Sequence, residues 1–150
     1  RELAHLEKAG AVASEWRANR RIYSFRKDYV YYQDLLSMIN KTVGLGGDIV
    51  KNRSKLGKVK FATLSGHFIR GKPSGGNEVD LLIVGNIILP QLAVIVKEEE
   101  ARREREINYT VMSDEEFAFR KRRNDPFIDS ILTKPKVMII GDEDELLRVS

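Results

Sequence analysis

Hydrophobic positions recur along the chain at spacings that predict short helices alternating with strands. Leu3 and Leu6 lie on one face of a helix that stops at Gly10, and segment 31–42 carries a second apolar helical stripe. Helices are also predicted at 48–56, 66–71 and 90–103, after the capping box at 113–116, after the Asp125-Pro126 pair and at 142–147. Strands are predicted at 11–16, 21–25, 60–65, 78–84, 106–112 and 137–140.

This mixture of elements around one core predicts an α/β or α+β class, between which periodicity does not choose. The stretch Gly44 to Gly47 predicts a linker, which divides the chain into domains 1–43 and 44–150. The same glycines resemble a phosphate loop, but the Gly-Lys-Ser/Thr ending of that motif is missing. A flexible hinge is the favoured interpretation.

Composition narrows the class of protein. The chain has 150 residues and no cysteine, which excludes disulfides, thiolate metal sites and cysteine nucleophiles. No apolar stretch approaches the ~20 residues of a membrane-spanning helix, and no secretory signal opens the sequence. We therefore expect a cytoplasmic protein with no membrane partner.

Charge is distributed unevenly along the chain. Residues 1–60 hold 13 Lys and Arg against 6 Asp and Glu, whereas residues 61–150 hold 13 against 16. A basic first part suits a polyanion such as nucleic acid, although a solvated basic surface has the same composition.

The order of helix, glycine and basic hairpin resembles the C-terminal half of a winged helix-turn-helix. The matching segments are His5 to Val12 and Asn19 to Phe25. The resemblance implies DNA as a partner, with Arg17, Arg20 and Arg21 contacting phosphates from the wing.

The same resemblance places the start of the sequence inside the recognition helix. Either the two preceding helices of such a module have been removed, or the segment is a vestige used for packing. Autonomous sequence-specific DNA binding is then not expected. An alternative role for the helix at 31–42 is to pair two chains in a structural homodimer.

Chemistry concentrates around two acidic residues. Glu78 and Asp80 lie two apart on a predicted strand, so their side chains are expected on one side. Two converging carboxylates need a counter-charge, which Mg²⁺ commonly supplies. Gly66 begins the turn that follows the preceding strand, where free amides would meet a phosphate. Such a geometry suits nucleotidyl transfer, although a solvated acidic strand end is the alternative.

This segment resembles the signature of the nucleotidyltransferase superfamily related to DNA polymerase beta. The matching residues are Gly66, Arg70, Gly71, Asp80 and Leu81, and the segments 105–117, 124–127 and 141–146 also resemble small proteins that join a winged helix to such a domain. The resemblance implies an α+β nucleotidyltransferase fold, a mixed sheet flanked by helices, preceded by a partial winged-helix segment. It further implies a nucleoside triphosphate as partner, held by Gly66, His67, Arg70 and Gly71, and Mg²⁺ held by Glu78 and Asp80 if the protein is active.

The sequence departs from this family at three positions. His67 replaces a serine, and an imidazole is a poor Mg²⁺ ligand. Glu78 replaces the first catalytic aspartate, and its extra methylene displaces the carboxylate by on the order of 1 Å. The third carboxylate position holds Asn108, whose amide cannot accept a proton. Glu106, two residues earlier, is the local substitute, so the catalytic candidates are Glu78, Asp80 and Glu106.

Two functions follow from these observations. The first is a transcriptional-regulator-like protein whose nucleotidyltransferase site is degenerate, weak or inactive. The second is an active Mg²⁺-dependent enzyme that moves a nucleoside monophosphate from a triphosphate to a protein or small-molecule hydroxyl.

Other charged and aromatic residues have simpler interpretations beside the functional ones. Arg70 either holds its turn or contacts phosphate. The run 120–123 favours a solvated helix end over a polyanion site. For Trp16, packing within the wing is the favoured interpretation, and stacking on bases is the alternative.

Overall fold

The computed structural model describes residues 2–72 and 78–149. Contacts divide the chain into two compact units, Arg1–Ile39 and Asn40–Ser150. This division lies four residues before the boundary that the glycine run predicts. No helix in the described ranges is both long and apolar enough to cross a membrane.

The first unit consists of a helix and a two-stranded hairpin. Its elements are α1 (Glu2–Lys8), β1 (Val12–Arg17) and β2 (Arg20–Phe25), and α2 (Tyr32–Thr42) begins in this unit. Gly10 follows the end of helix α1, and its positive φ of 86° reverses the chain at little steric cost. The strands pair antiparallel with Arg17 opposite Arg20 at the end of the hairpin. The predicted helix and hairpin are confirmed.

The second unit is an α+β domain built on a four-stranded mixed sheet flanked by helices. Its elements are α3 (Gly44–Lys51), β3 (Gly57–Ser65), α4 (Gly66–Ile69), β4 (Leu81–Ile87), α5 (Leu89–Arg103), β5 (Tyr109–Met112), α6 (Asp114–Arg122), α7 (Pro126–Thr133), β6 (Lys136–Ile140) and α8 (Glu143–Leu147). The strand order is β5-β4-β3-β6; β3 pairs antiparallel with β4 and β6, and β4 pairs parallel with β5.

The main core lies between the sheet and helices α6, α7 and α8. Its buried residues are Phe61, Leu82, Val84, Met112, Phe117, Ile128 and Leu146. Strands β3 and β4 carry near-continuous apolar runs, as expected for the two central strands of a sheet. Burial of this core fixes the depth at which the ends of β3 and β4 lie.

The glycine run predicted to be a hinge is the first turn of α3, and the hinge interpretation is wrong. Leu45, Gly46 and Gly47 are buried. A Cβ at Gly46 would lie 2.0 Å from the Asn40 carbonyl oxygen and 2.8 Å from Ile139 Cδ1. The glycines are therefore required for close packing of the helix start, a need that local sequence does not distinguish from flexibility.

Two predicted strands begin later than expected. The strand predicted at 78–84 is β4, which starts at Leu81, and the strand predicted at 106–112 is β5, which starts at Tyr109. Glu78 and Glu106 therefore precede their strands, where no sheet alternation fixes the direction of the side chain. Of the loop predicted at 72–77, residues 73–77 lie outside the described residues.

Candidate functional site

The site lies where β3 ends and the short helix α4 begins. Ser65 is the N-cap residue of α4, and its Oγ accepts a hydrogen bond of 3.2 Å from the Phe68 amide. The Gly66 amide donates 2.9 Å to the Pro135 carbonyl. Two amides that a phosphate would need are thus already bonded within the chain, so the turn is not the open cradle that the sequence predicted.

Asp80 is held at the other side of the site by the start of the neighbouring strand. Its side chain is fully buried, and Oδ2 accepts a hydrogen bond of 2.9 Å from the Asn108 amide. The Asp80 carbonyl in turn accepts from the Ser65 amide at 2.9 Å. These hydrogen bonds join the end of β3 to the segments that lead into β4 and β5, so Asp80 occupies one fixed position.

Glu78 lies on the segment that leads into Asp80. The Asn108 side-chain amide donates 3.2 Å to the Glu78 carbonyl, which holds this segment close to β5. The Glu78 side chain is 39% exposed. One carboxylate of the pair is therefore partly hydrated, while the carboxylate of Asp80 depends on partners within the protein.

His67 lies between the two carboxylates and contacts both. Its Nε2 is 3.0 Å from Asp80 Oδ1, and its Nδ1 is 3.2 Å from Glu78 Oε2. The Ser65 hydroxyl is 3.3 Å from the same Nε2. The two carboxylates that were expected to converge lie at different nitrogens of one imidazole ring, which separates them.

This arrangement does not fit the Mg²⁺ ion that the family resemblance implies. One oxygen of Asp80 is bonded to a main-chain amide and the other faces an imidazole nitrogen, whereas Mg²⁺ demands oxygen ligands in near-ideal octahedral geometry. Among the residues that the structure describes, no group of three or more His, Cys, Asp or Glu side chains is arranged to hold a metal ion. We therefore assign no catalytic step to a metal here.

A small cavity opens beside this cluster. It holds about 30 Å³, which is room for one or two water molecules, whereas ligand pockets span roughly 300 to 1,000 Å³. The lining residues are Thr63, Ser65, His67, Glu78, Val79, Asp80, Leu82, Ser130, Ile131, Lys134, Pro135 and Lys136.

Several of these lining residues were missed by sequence reasoning. Lys136 reaches the cavity because β6 pairs antiparallel with β3, which places it opposite Ser65, and Ser130 and Lys134 lie on the segment that leads into β6. Such a pairing joins residues about seventy positions apart, and no local pattern reveals it. Ser65 carried a detectable signal, because a serine before a helical turn is a common N-cap.

The other predicted site residues do not line the cavity. Glu106 is exposed and does not line the cavity. Arg70 is exposed at the end of α4, and its amide donates to the Gly66 carbonyl. Gly71 has a φ of 71°, a left-handed conformation that favours glycine. The structure thus brings His67, Glu78 and Asp80 into contact, and the Arg70 guanidinium lies near Gly66.

Helix α4 is anchored by Phe68, whose ring lies beside the guanidinium groups of Arg103 and Arg105. Phe68 is buried, and the Arg103 guanidinium carbon lies 4.0 Å from its ring centroid. Arg103 also binds Glu99, whose carboxylate interacts with Arg102 as well. Burial alone would raise the pKa of Glu99, but the hydrogen bonds and charges of Arg103 and Arg102 outweigh it and hold the pKa below its ordinary value.

The three basic residues of the hairpin have different surroundings. Arg21 binds Glu7 at 2.9 Å and Ser14 at 3.1 Å, and its guanidinium lies near the Trp16 and Tyr23 rings. Arg17 pairs with Glu15 in an exposed contact of 2.8 Å, and Arg20 is exposed. Strand alternation places Arg17 and Arg20 on one face of the hairpin and Arg21 on the other.

Comparisons with known proteins add no relative to this picture. Searches with family models, among curated proteins and among solved structures found no match to the chain. The resemblance to nucleotidyltransferases and winged helices therefore stays a prediction from sequence, and the geometry of the site carries the functional argument.

Proposed function

We propose that this chain is a regulator-like protein in which a partial winged-helix segment is joined to a nucleotidyltransferase-like domain with a degenerate site. The supporting observation is the position of His67, within 3.2 Å of both carboxylates. Nucleotidyl transfer of this type uses metal ions to hold the triphosphate and activate the attacking hydroxyl. An imidazole between the two acidic side chains takes the room that such an ion would need.

The residue before β5 also supports a degenerate site. Asn108 stands where the family has a third carboxylate, and its main-chain amide is bonded to Asp80. An amide side chain cannot serve as the general base for an incoming hydroxyl. Glu106, the substitute expected from sequence, is exposed and away from the cavity lining.

The hairpin of the first unit supports the regulatory part of the proposal. The hairpin end presents Arg17 and Arg20 directly opposite one another, with Glu15 as the acidic partner of Arg17. Like charges in directly opposed positions repel, and a phosphate group placed between them would relieve that repulsion. DNA is the partner that this arrangement and the winged-helix resemblance favour.

A labelling assay tests the degenerate site. The chain is incubated with each nucleoside triphosphate labelled at the α-phosphate, with Mg²⁺ or Mn²⁺ and with protein and small-molecule acceptors. We expect label incorporation no higher than that of the Glu78→Ala/Asp80→Ala variant. Asp114→Ala serves as the matched control, because Asp114 pairs with Lys60 in an exposed contact outside the His67 cavity. Incorporation that the double variant abolishes and the control retains would establish an active transferase instead.

A further inference from the structure

A second pocket lies beside the buried lysine of α6 and shares no lining residue with the His67 cavity. It holds about 200 Å³, and its lining includes Lys60, Asp114, Lys121, Glu145 and Arg148. We propose that this pocket binds a short carbonyl compound that carries a carboxylate, and that Lys121 Nζ forms an imine with its carbonyl carbon. This site goes beyond the proposed function, which makes no use of it.

The amine of Lys121 is held in place by the fold. The residue is 8% exposed, and its Nζ donates to the Leu146 carbonyl at 3.0 Å and to the Arg148 carbonyl at 2.7 Å. The same nitrogen lies 4.5 Å from the centroid of the Phe117 ring. An exposed lysine samples many positions of its four-carbon stem, whereas Lys121 presents its nitrogen at one place in the wall of the pocket.

The two carbonyls leave one direction of the nitrogen unused. An ammonium group has three donors, whereas the neutral amine has two N–H bonds and a lone pair. Both carbonyl bonds of Lys121 can be kept by the neutral form, since two donors are enough for the oxygens of Leu146 and Arg148. The lone pair then points away from both oxygens, where it is available to an electrophile.

The surroundings of Lys121 also favour the neutral, nucleophilic form. Burial lowers the pKa of Lys121 and the charge of Lys60 lowers it further, while the charge of Asp114 acts in the opposite direction. At a given pH a larger share of Lys121 is therefore neutral than of an exposed lysine. Desolvation and a neighbouring cation are the two means by which a lysine becomes a nucleophile towards carbonyl groups.

The pocket size and the free arginine at its edge indicate the class of ligand. A volume of about 200 Å³ is below the roughly 300 to 1,000 Å³ of pockets for drug-sized ligands, so the ligand has few non-hydrogen atoms. Lys60 is paired with Asp114 at 3.0 Å. Arg148 is exposed and forms no ion pair within the described residues, and a guanidinium group binds a carboxylate with two parallel hydrogen bonds.

The chemical step needs no further reactant. The lone pair of Nζ attacks the carbonyl carbon, a C–N bond forms, and the carbonyl oxygen takes up two protons and leaves as water. Glu145 supplies a carboxylate in the same pocket for these proton transfers. The protonated imine keeps one N–H for one of the two carbonyls, and the carbonyl of the exposed residue Arg148 is accessible to water.

Reductive trapping with glyoxylate, a short aldehyde that carries a carboxylate, tests this site. The protein is incubated at neutral pH with glyoxylate and cyanoborohydride, which reduces an imine to a stable amine, and the adducts are located by peptide mass mapping. Lys121 should be labelled at least about 10-fold faster than the exposed Lys41. Acetaldehyde, which lacks the carboxylate, should show a smaller preference for Lys121.

Variants assign the roles of the two pocket residues. Lys121→Met should remove the fast adduct, and Lys41→Met should retain it. Arg148→Met should slow glyoxylate labelling of Lys121 by about 5- to 10-fold and leave acetaldehyde labelling unchanged, because it removes the carboxylate partner alone. Arg122→Met is the matched control, since Arg122 is an exposed arginine of α6 that does not line the pocket.

The mapping of the unchanged protein decides the main point even if Lys121→Met fails to fold. Labelling of Lys121 no faster than labelling of Lys41 overturns the imine site. A preference for glyoxylate that persists in Arg148→Met overturns the assigned carboxylate contact. Nucleotide transfer in the assay described above overturns the proposed function and leaves the Lys121 site untouched, because the two sites share no residue.

Discussion

Arg103 Nε lies 2.7 Å from Glu99 Oε2, and the Glu99 side chain is only 5% exposed. The second carboxylate oxygen binds Arg102 at 2.6 Å, and Arg102 reaches Asp48 on α3 at 2.7 Å. A buried carboxylate between two guanidinium groups thus joins α3 to α5, and Arg103 extends the connection to Phe68 below the candidate site. Removing one member of such a group leaves the others uncompensated.

We predict that this cluster makes the second unit sensitive to acid. The pKa of Glu99 is lower in the folded protein than its ordinary value of 4.5. A lowered pKa contributes stability that is present above the unfolded value and is lost as the pH falls through the folded one. The free energy of unfolding should therefore fall more steeply below about pH 4.5 in the unchanged protein than in Glu99→Gln, as measured by urea unfolding followed by circular dichroism.

The size of the effect at neutral pH is also testable. Glu99→Gln should lower the free energy of unfolding by about 1–3 kcal/mol, because two arginines lose a buried charged acceptor. Glu98→Gln is the matched control, since Glu98 is an exposed residue on the same helix. Equal acid slopes in the unchanged protein and in Glu99→Gln would contradict this account.

A second titration prediction concerns Lys121, a buried cation on α6. Its Nζ donates to the carbonyls of Leu146 and Arg148 at the end of α8. Burial lowers the pKa of Lys121, and the charge of Lys60 lowers it further. The unfolded chain therefore binds this proton more tightly, so ionisation of Lys121 opposes folding at neutral pH and ceases to do so as the pH rises towards 10.5.

The expected result is a pH-dependent difference between two proteins. The stability of the unchanged protein relative to Lys121→Met should increase between neutral pH and pH 10.5, because the neutral amine keeps enough N–H donors for both carbonyls. Lys41→Met, an exposed lysine, controls for general alkaline effects. A relative stability that is constant over this range, or that falls, would show that Lys121 titrates as an ordinary lysine.

Local sequence signals predicted much of the fold because their causes are local. The Ser113 cap is confirmed by its hydrogen bond from the Glu116 amide, and Asp125 caps α7 in the same way. The two central strands were visible as apolar runs because both faces of the sheet are covered. The starts of β4 and β5 were predicted too early, since Glu78 and Asp80 before β4 are held by hydrogen bonds from Asn108 before β5 rather than by the pairing of a strand.

Only part of the candidate site was predictable from the sequence. Glu78 and Asp80 were expected on one side of a strand, but both precede β4, so strand alternation does not explain their contact with the same imidazole. That His67 points between them depends on the rotation of α4 and on the Phe68 anchor, and neither is encoded in the spacing. The family resemblance identified His67 as a departure but did not indicate that its ring contacts both acidic groups.

The reinterpreted glycine run gives a stability prediction. Gly46→Ala should lower the free energy of unfolding by about 2–3 kcal/mol, because the added methyl group would overlap the Asn40 carbonyl. At Gly71 nothing lies within 4 Å, and only the positive φ of 71° opposes a side chain, so Gly71→Ala should cost about 1 kcal/mol. A flexible hinge at 44–47 would instead be stabilised by Gly46→Ala, which urea unfolding would reveal as a higher midpoint.

The last prediction tests the proposed DNA contact and rests on the two faces of the hairpin. Each phosphate that a protein neutralises contributes a slope of about −0.9 to the dependence of log affinity on log salt concentration. Arg17 and Arg20 share one face and are exposed, so Arg17→Ala/Arg20→Ala should weaken duplex DNA binding and reduce the magnitude of the slope by about 2. Arg21 is bound to Glu7 and lies near Trp16, so Arg21→Ala should change the slope little.

Fluorescence of the single tryptophan of the chain shows whether the same substitutions change folding as well as DNA binding. Trp16 lies in the first unit, so its fluorescence reports on the surroundings of β1. Arg21→Ala should shift the emission and lower the unfolding midpoint followed at Trp16, because the ion pair and the ring contacts of Arg21 are lost. Arg17→Ala/Arg20→Ala should leave that midpoint unchanged or raised, since two opposed like charges are removed.

Anisotropy of labelled duplex DNA across a KCl series measures the salt slope of binding. If Arg21→Ala reduces that slope while Arg17→Ala/Arg20→Ala does not, the phosphate contact lies on the opposite face of the hairpin.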